Sequence, residues 1–397
     1  MNEFLKRTWA EIDIDNIEHN FSVCKQIAKQ GVSLMGVIKA DAYGHGAQVY
    51  AKVLSEMGCE WFAVSNLEEA LEIRRAGVDT PILILGYTPP EKASELAYNN
   101  ISQAVFDYPY ALKLSECASR QNVQVNIHLK IDTGMTRIGF LYQDNIADGD
   151  SIEQMVGVCK MPGLYPQGVF QHFASADEGE HGEVYTRFQY DLFLDAVRRL
   201  EGEGIHFEIR HCCNSAATTE YREMQLDACR VGICIYGLKS SKEVKNQDDL
   251  KPVMSLKTIV STVKVIDSGT TISYGRTFTA DKPMKIAVVA IGYADGYPRI
   301  LSDAGARMIV NGQYAPVVGR ICMDMCMLDV TDIENVKDGD IVTVMGVDAA
   351  SGKEISADEL AEKAQTINYE ITCSVSKRVP RVYLKNGKKQ SVKNYIS

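Results

Sequence analysis

One pattern repeats eight times in the first 240 residues: a short, nearly unbroken apolar run, a polar or glycine-bearing turn, and in most cases a stretch with helical spacing. The runs are "SLMGVIKA" (33–40), "WFAVSN" (61–66), "PILILGY" (81–87), "ISQAVFD" (101–107), "VQVNIHLKID" (123–132), "YPQGVFQHF" (165–173), "FEIRHCCNS" (207–215) and "CRVGICIYG" (229–237). "GAQVYAKVLSEMG" and "LEEALEIRRAG" place apolar residues on one helical face, and a longer helix is expected from about 182 to 203. Strands that are apolar along their whole length suit a parallel sheet buried on both faces. Eight such β/α units in this length fit an α/β fold of the (β/α)8 TIM-type barrel class. The alternative is an open doubly wound sheet, whose G-x-G-x-x-G fingerprint after the first strand is absent here.

After the polar stretch "KSSKEVKNQDDLKP" the pattern changes to short strands without intervening helices. "MIVNGQYAPVV" reads as a hairpin around an Asn-Gly turn, and one late helix is expected at "SADELAEKAQ". The expected division is a barrel domain over 1–245 and a mainly β domain over 246–397, with a first segment of ~10 residues that can pack on the β domain.

The net charge of -10 argues against nucleic acid as a partner, because phosphate backbones demand a basic face. No apolar run approaches the ~20 residues of a membrane span, and "MNEFLKRTWAEIDIDNIEHN" lacks the apolar core of a signal peptide. A cytoplasmic protein is expected. The 11 cysteines include no CxxC pair, so reduced thiols are expected and no metal site.

In a (β/α)8 barrel the chemistry sits at the C-terminal ends of the strands. There this sequence places Lys39 and Tyr43; Lys130, Asp132 and Arg137; His172; Asn214 and Ser215; Arg230 and Gly232. Lys39 has three readings: a lysine snorkelling to solvent, a salt-bridge partner, or a Schiff-base lysine whose neutral amine attacks a carbonyl. Ser215 and the amides near Gly232 suit a phosphate cradle on the late strands, and Asn214-Ser215 suits a helix N-cap equally well. His172 reads as either a core histidine or a site residue. Arg230, within a barrel strand, needs a planar acceptor or a carboxylate. A cradle together with an imine lysine points to pyridoxal 5'-phosphate, PLP.

"VIKADAYGHG", "LKIDTGMTRIG", "HCCNSAA", "RVGICIYG", "SYGRTF", "IGYADGYPR", "VGRICMDM" and "INYE" follow one another in this chain in the order they take in bacterial alanine racemases, fold-type III PLP enzymes, which the sequence resembles over nearly its whole length. The resemblance implies a homodimer in which each site joins one chain's barrel to the other's β domain. Lys39 is then the cofactor-bearing lysine and one catalytic base, and Tyr274 from the partner is the other. Arg230 faces the pyridine nitrogen, and His172 links Arg230 to Tyr274. Tyr43, Ser215, Gly232, Ile233 and Tyr369 hold the phosphate, with Asn214 in the same group. Arg137 approaches the cofactor's phenolic oxygen and the substrate carboxylate, and the Met323 amide of the partner binds that carboxylate beside Cys322 and Asp324. Lys130 matches a position that is often N-carboxylated. Tyr293, Arg299 and Arg320 line the substrate corridor. Val231 where proline is usual, "HCC" and Met325 are departures.

The implied activity is interconversion of L- and D-alanine, with D-alanine supplied for peptidoglycan. Two bases on opposite faces avoid carrying a proton across the plane of the intermediate. A tyrosine, ordinarily titrating near ~10, needs neighbouring positive charge or hydrogen bonds for that task. The alternatives are a serine racemase of the same family, a fold-type III decarboxylase, against which Arg230 argues, and a single-barrel PLP-binding homeostasis protein, against which the β domain argues.

Overall fold

The computed structural model describes residues 4–143 and 151–396. The chain forms two compact units: Ile17–Ala42 with Ala47–Lys251, and Met1–Asn16 with Tyr43–Gly46 and Pro252–Ser397.

The first unit is built on eight parallel strands. Their order around the sheet is Ala228–Val231, Ser33–Val37, Trp61–Val64, Ile82–Ile84, Ile101–Val105, Val125–Asp132, Leu164–Phe170 and Ile209–His211. The seam between the last and first of these carries no regular ladder. Backbone bonds bridge it, from Asp227 N–H to the Arg210 carbonyl (3.0 Å) and from Arg230 N–H to the Cys213 carbonyl (3.0 Å). The Arg210–Asp227 ion pair lies alongside at 2.8 Å. The barrel is therefore nearly closed, with almost no edge left to pair elsewhere.

The turns from strand to helix follow from local chemistry. Asn66, Asp107 and Asn214 each end an extended segment and accept a hydrogen bond from a backbone N–H three residues on, capping the next helix. The helices Ala47–Glu56, Leu67–Arg75 and Glu180–Gly202 lie where the sequence pattern puts them, and Tyr108–Arg120 forms a further one.

The second unit is mainly β. Met254–Ile266 pairs antiparallel with Thr8–Asp13, Ile341–Val347 and Met284–Val289. Thr8–Asp13 also pairs in parallel with Arg381–Lys385. The hairpin 307–316 turns at Asn311 and Gly312, both with positive φ (46° and 72°), as a two-residue turn that follows the strand twist requires. Where one late helix was expected there are two, Ala357–Ala364 and Asn368–Ser374. Gln365 takes a left-handed conformation (φ 56°) and ends the first, and Ile367 is extended before the second begins.

His128 sits inside the barrel wall opposite Gly168, at a register shift between Ile127 and His128. A Cβ at Gly168 would lie 2.6 Å from His128 Nδ1. Gly168→Ala should therefore destabilise the protein by about 1–3 kcal/mol through overpacking. Adding His128→Ala should return part of that loss in a double-mutant cycle of unfolding midpoints. A wild-type midpoint in Gly168→Ala would contradict this packing.

Candidate active site

Lys39 stands one residue past the hydrogen-bonded end of the first barrel strand, where Ile38 N–H still bonds the Ala63 carbonyl (3.0 Å). The chain then does something an L-peptide avoids. Ala40, Asp41, Ala42 and Tyr43 have φ of 52°, 54°, 53° and 50°, a left-handed turn with no glycine in it. Each such residue costs about 1–2 kcal/mol. Side chains on either side of the turn hold it. Glu69, in the first turn of its helix, accepts from Ala40 N–H and Ser65 N–H, both at 2.7 Å. Asp41 accepts from Ala47 N–H (2.8 Å), and buried His45, read from sequence only as a loop histidine, bonds the Tyr43 carbonyl through Nδ1 (3.0 Å).

Arg230 is 3% exposed and organises the barrel interior. Its Nη1 donates to His211 Nδ1 (2.8 Å) and the His211 carbonyl, and its Nη2 to the carbonyls of Gln171 (2.8 Å) and Cys212 (3.0 Å) and to His172 Nδ1 (3.3 Å). Among the described residues its Nε–H has no acceptor. A guanidinium only donates, so His211 Nδ1 is the acceptor and His211 Nε2–H donates to His128 Nδ1 at 3.0 Å. Burial lowers the Arg230 guanidinium to about 10, still charged at neutral pH. Burial, then Arg230, holds His211 well below its ordinary value. The same is true of His172, with Lys130, Arg137 and Lys39 adding to the effect. Both imidazoles are neutral at pH 7.

Asp132 shapes the loop that follows its strand by accepting the backbone N–H groups of Gly134 (2.9 Å), Thr136 (3.0 Å) and Arg137 (3.1 Å). That leaves the Arg137 side chain exposed. Lys130 is buried, donates to the Ile131 carbonyl (3.2 Å) and lies 5.1 Å over the Phe170 ring. Burial pushes its amine well below the ordinary lysine value; Arg230 and Arg137 add to this and Asp132 opposes it.

Buried Ser215 opens a short helix. Its Oγ accepts from Gly232 N–H (2.8 Å) and Cys234 Sγ (3.3 Å), which frees its own proton for an acceptor. Ile233 follows Gly232 at the start of a 3-10 turn. The Asn214 side chain is occupied as the helix cap, bonding Ala217 N–H (2.9 Å).

The remaining candidates belong to the β unit. Tyr43 and Tyr369 pack ring to ring at 5.9 Å. "SYGRTF", "IGYADGYPR" and "VGRICMDM" meet through hydrogen bonds to backbone carbonyls: Tyr293 N–H to the Cys322 carbonyl (3.1 Å), Ala294 N–H to the Met323 carbonyl (3.0 Å) and Ser273 Oγ to the Arg320 carbonyl (2.6 Å). The Arg320 guanidinium lies against Gly275, where a Cβ would come within 2.7 Å of it. Asp324 pairs with Arg378 at 2.8 Å. Arg299 begins the next 3-10 segment. Tyr274 is 69% exposed and Met323 53%, with Tyr293, Ile300 and Met325 also exposed, so this face presents apolar surface. Patches of that kind mark interaction sites.

Sequence reasoning overlooked His128, His211, Glu69 and Arg381. His211 stood in plain view in "HCCNSAA", and Arg381 was signalled by a charge inside the strand pattern "RVYLK". His128 is fully buried, and burial followed by Arg230 pushes it down to about 3. Between that value and the unfolded value near ~6.5, the unfolded chain binds a proton that the folded one refuses. Stability therefore falls as pH drops through this window. His128→Gln should lose about 2 kcal/mol less than the parent between pH 7 and pH 5 in urea unfolding. Equal losses would contradict the neutral, buried His128.

Two family models match the chain, "Alanine racemase, N-terminal domain" over residues 12–240 and "Alanine racemase, C-terminal domain" over 253–383. The chain is 46% identical to the alanine racemase of Clostridium tetani over 397 residues, covering 100% of both. It is similar to the solved alanine racemase of Clostridium difficile 630 at 36% identity, with a TM-score of 0.92 and 100% of each chain covered. It is equally similar to that of Bacillus anthracis solved with bound L-Ala-P, at 36% identity and a TM-score of 0.92 over 99% of each chain. A nearly closed parallel barrel ringed by a strand-end lysine, a buried arginine and a serine cradle, in a chain so matched along its whole length, belongs to the alanine racemase family.

Proposed function

We propose that this enzyme interconverts L- and D-alanine with PLP, in sites shared between two copies of the chain, and so supplies D-alanine for peptidoglycan. The observation that carries the cofactor assignment is Arg230, buried and bonded through both Nη atoms, with an Nε–H that still lacks an acceptor among the described residues. A pyridine nitrogen is such an acceptor. Ser215, whose hydroxyl proton is free to donate while its oxygen accepts two bonds, fits a phosphate oxygen in the same way.

On this reading Lys39 bears the cofactor, Arg230 bonds the pyridine nitrogen, and Ser215, Gly232, Ile233, Tyr43 and Tyr369 hold the phosphate, with Asn214 ordering the Ser215 turn. When bound, PLP supplies the electron sink that makes the substrate Cα proton acidic. Arg230 keeps its own proton and leaves the ring nitrogen unprotonated. That moderates the sink and favours return of the proton to Cα over side reactions.

The Lys39 amine takes or returns the Cα proton on one face, and Tyr274 of the partner subunit does so on the other. Neutral His172, bonded to Arg230, is the hydrogen-bond partner for that tyrosine. Arg137 and the Met323 amide of the partner subunit orient the substrate carboxylate, with Cys322 and Asp324 beside that amide, and Tyr293, Arg299 and Arg320 line the way in. Buried Lys130, whose amine is held well below the ordinary lysine value, is suited to taking up carbon dioxide as a carbamate, which would give Arg137 an anion to lean on. The exposed apolar face around Tyr274 and Met323 is the surface a second copy would cover. The relatives' names favour alanine over serine as substrate. Among the described residues no helix is long and apolar enough to cross a membrane.

Purified enzyme supplied with PLP should racemise L-alanine well ahead of L-serine and L-lysine, measured by chiral chromatography, and lose turnover when PLP is removed. A preference for serine would overturn the substrate assignment. Tyr274→Phe should lower turnover by about 10²–10⁴. Mixed with Lys39→Ala under subunit exchange, it should recover about a quarter of wild-type activity, since half the dimers are hybrids with one intact site in two. No recovery after verified exchange would contradict shared sites.

A further inference from the structure

Arg381 is 1% exposed, the largest of the fully buried side chains among the described residues. Its bonds run to main-chain carbonyls: Nε donates to Gly44 O (2.7 Å), Nη1 to Ser376 O (2.8 Å) and Val379 O, and Nη2 to Val375 O (2.6 Å). Among the described residues no carboxylate pairs with it. A buried cation without a counter-ion is costly unless each of its donors is used. What these donors join is specific. Gly44 directly follows Tyr43, the last residue of the left-handed turn. Val375 directly follows the helix Asn368–Ser374, which carries Tyr369.

The two segments are also locked sterically. A Cβ at Gly44 would fall 2.3 Å from the Thr372 carbonyl oxygen, and one at Gly46 would fall 1.9 Å from the Tyr383 hydroxyl. Tyr383, two residues along the strand from Arg381 and on the same face, donates to the His45 carbonyl at 3.1 Å. The Tyr395 ring covers the guanidinium, 5.2 Å from Cζ. The Tyr43 and Tyr369 rings, held from behind in this way, lie 5.9 Å apart.

We propose that Arg381 is a positioning residue that sets Tyr43 and Tyr369 in fixed register, so that their two hydroxyls grip one phosphate monoester group. This rests on the reading that the tyrosine pair holds the cofactor phosphate. One planar guanidinium reaches both segments at once. A lysine in its place is a point donor without the fork, and it leaves carbonyls on one segment unsatisfied.

The test is cofactor affinity of the full-length apoenzyme, titrated with PLP and separately with pyridoxal, which lacks the phosphate. Arg381→Lys should weaken PLP binding by about tenfold and leave pyridoxal binding unchanged, so that the ratio of the two affinities falls. Tyr383→Phe, which removes a single hydroxyl from the same lock, should lower that ratio by about threefold and serves if the arginine variant does not fold. A residue with only a structural part would weaken both ligands in parallel or neither, and an unchanged ratio in the folded variants overturns the proposal. Tyr369→Phe separates the two levels. If it lowers the ratio and Arg381→Lys does not, the tyrosine reading stands and the positioning role is refuted. If Tyr369→Phe leaves the ratio unchanged, both are refuted.

Discussion

The left-handed turn from Ala40 to Tyr43 is the constraint on which the site depends. Four consecutive L-residues at positive φ, at about 1–2 kcal/mol each, take up a large part of the roughly 5–15 kcal/mol that separates a folded domain from its unfolded chain. The return is geometric. A chain that leaves its strand just before Lys39 and then coils the wrong way presents the lysine at the barrel rim and reverses within one turn, so that Tyr43 follows at once. Such strain survives only where its surroundings over-determine it. Glu69 holds the turn's first amide, and Asp41, within the turn, accepts from Ala47 N–H beyond it. His45 holds the carbonyl of its last residue, and Arg381 holds the carbonyl of the residue after it.

The barrel interior follows a second rule: positive charge is concentrated and the groups around it stay neutral. Arg230 keeps its proton because no nearby base competes for it at neutral pH, and its Nη donors dictate the tautomer of His211 and through it that of His128. Lys130 sits under the same field and in the same dry environment, which hold its amine well below the ordinary lysine value. The ring of Phe170 lies between these groups, stacked on His211 at 4.9 Å and faced by both Lys130 and Arg230. An aromatic face tolerates cations where a second cation or a bare methyl would not.

Much of this was legible before any coordinates, and for definable reasons. Parallel strands buried on both faces leave continuous apolar runs, so all eight barrel strands could be placed. Polar residues that interrupt such runs stand out, which exposed Lys39, Lys130, His172 and Arg230. Other features left no trace in one dimension. Ala-Asp-Ala-Tyr contains no glycine and gives no warning of a left-handed turn. The helix Asn368–Ser374, which starts three residues after left-handed Gln365 ends the expected one, is too short to show a helical period. Arg381 escaped notice, because its partners are main-chain carbonyls up to 337 positions away, which no side-chain pattern can report.

The proposed chemistry turns on one group, the Lys39 amine. Borohydride reduction of the holoenzyme, followed by proteolysis and mass mapping, fixes the cofactor to whichever lysine carries it. A single phosphopyridoxyl adduct is expected, on the peptide containing Lys39. An adduct on Lys130, or on any lysine of the β unit, would contradict it.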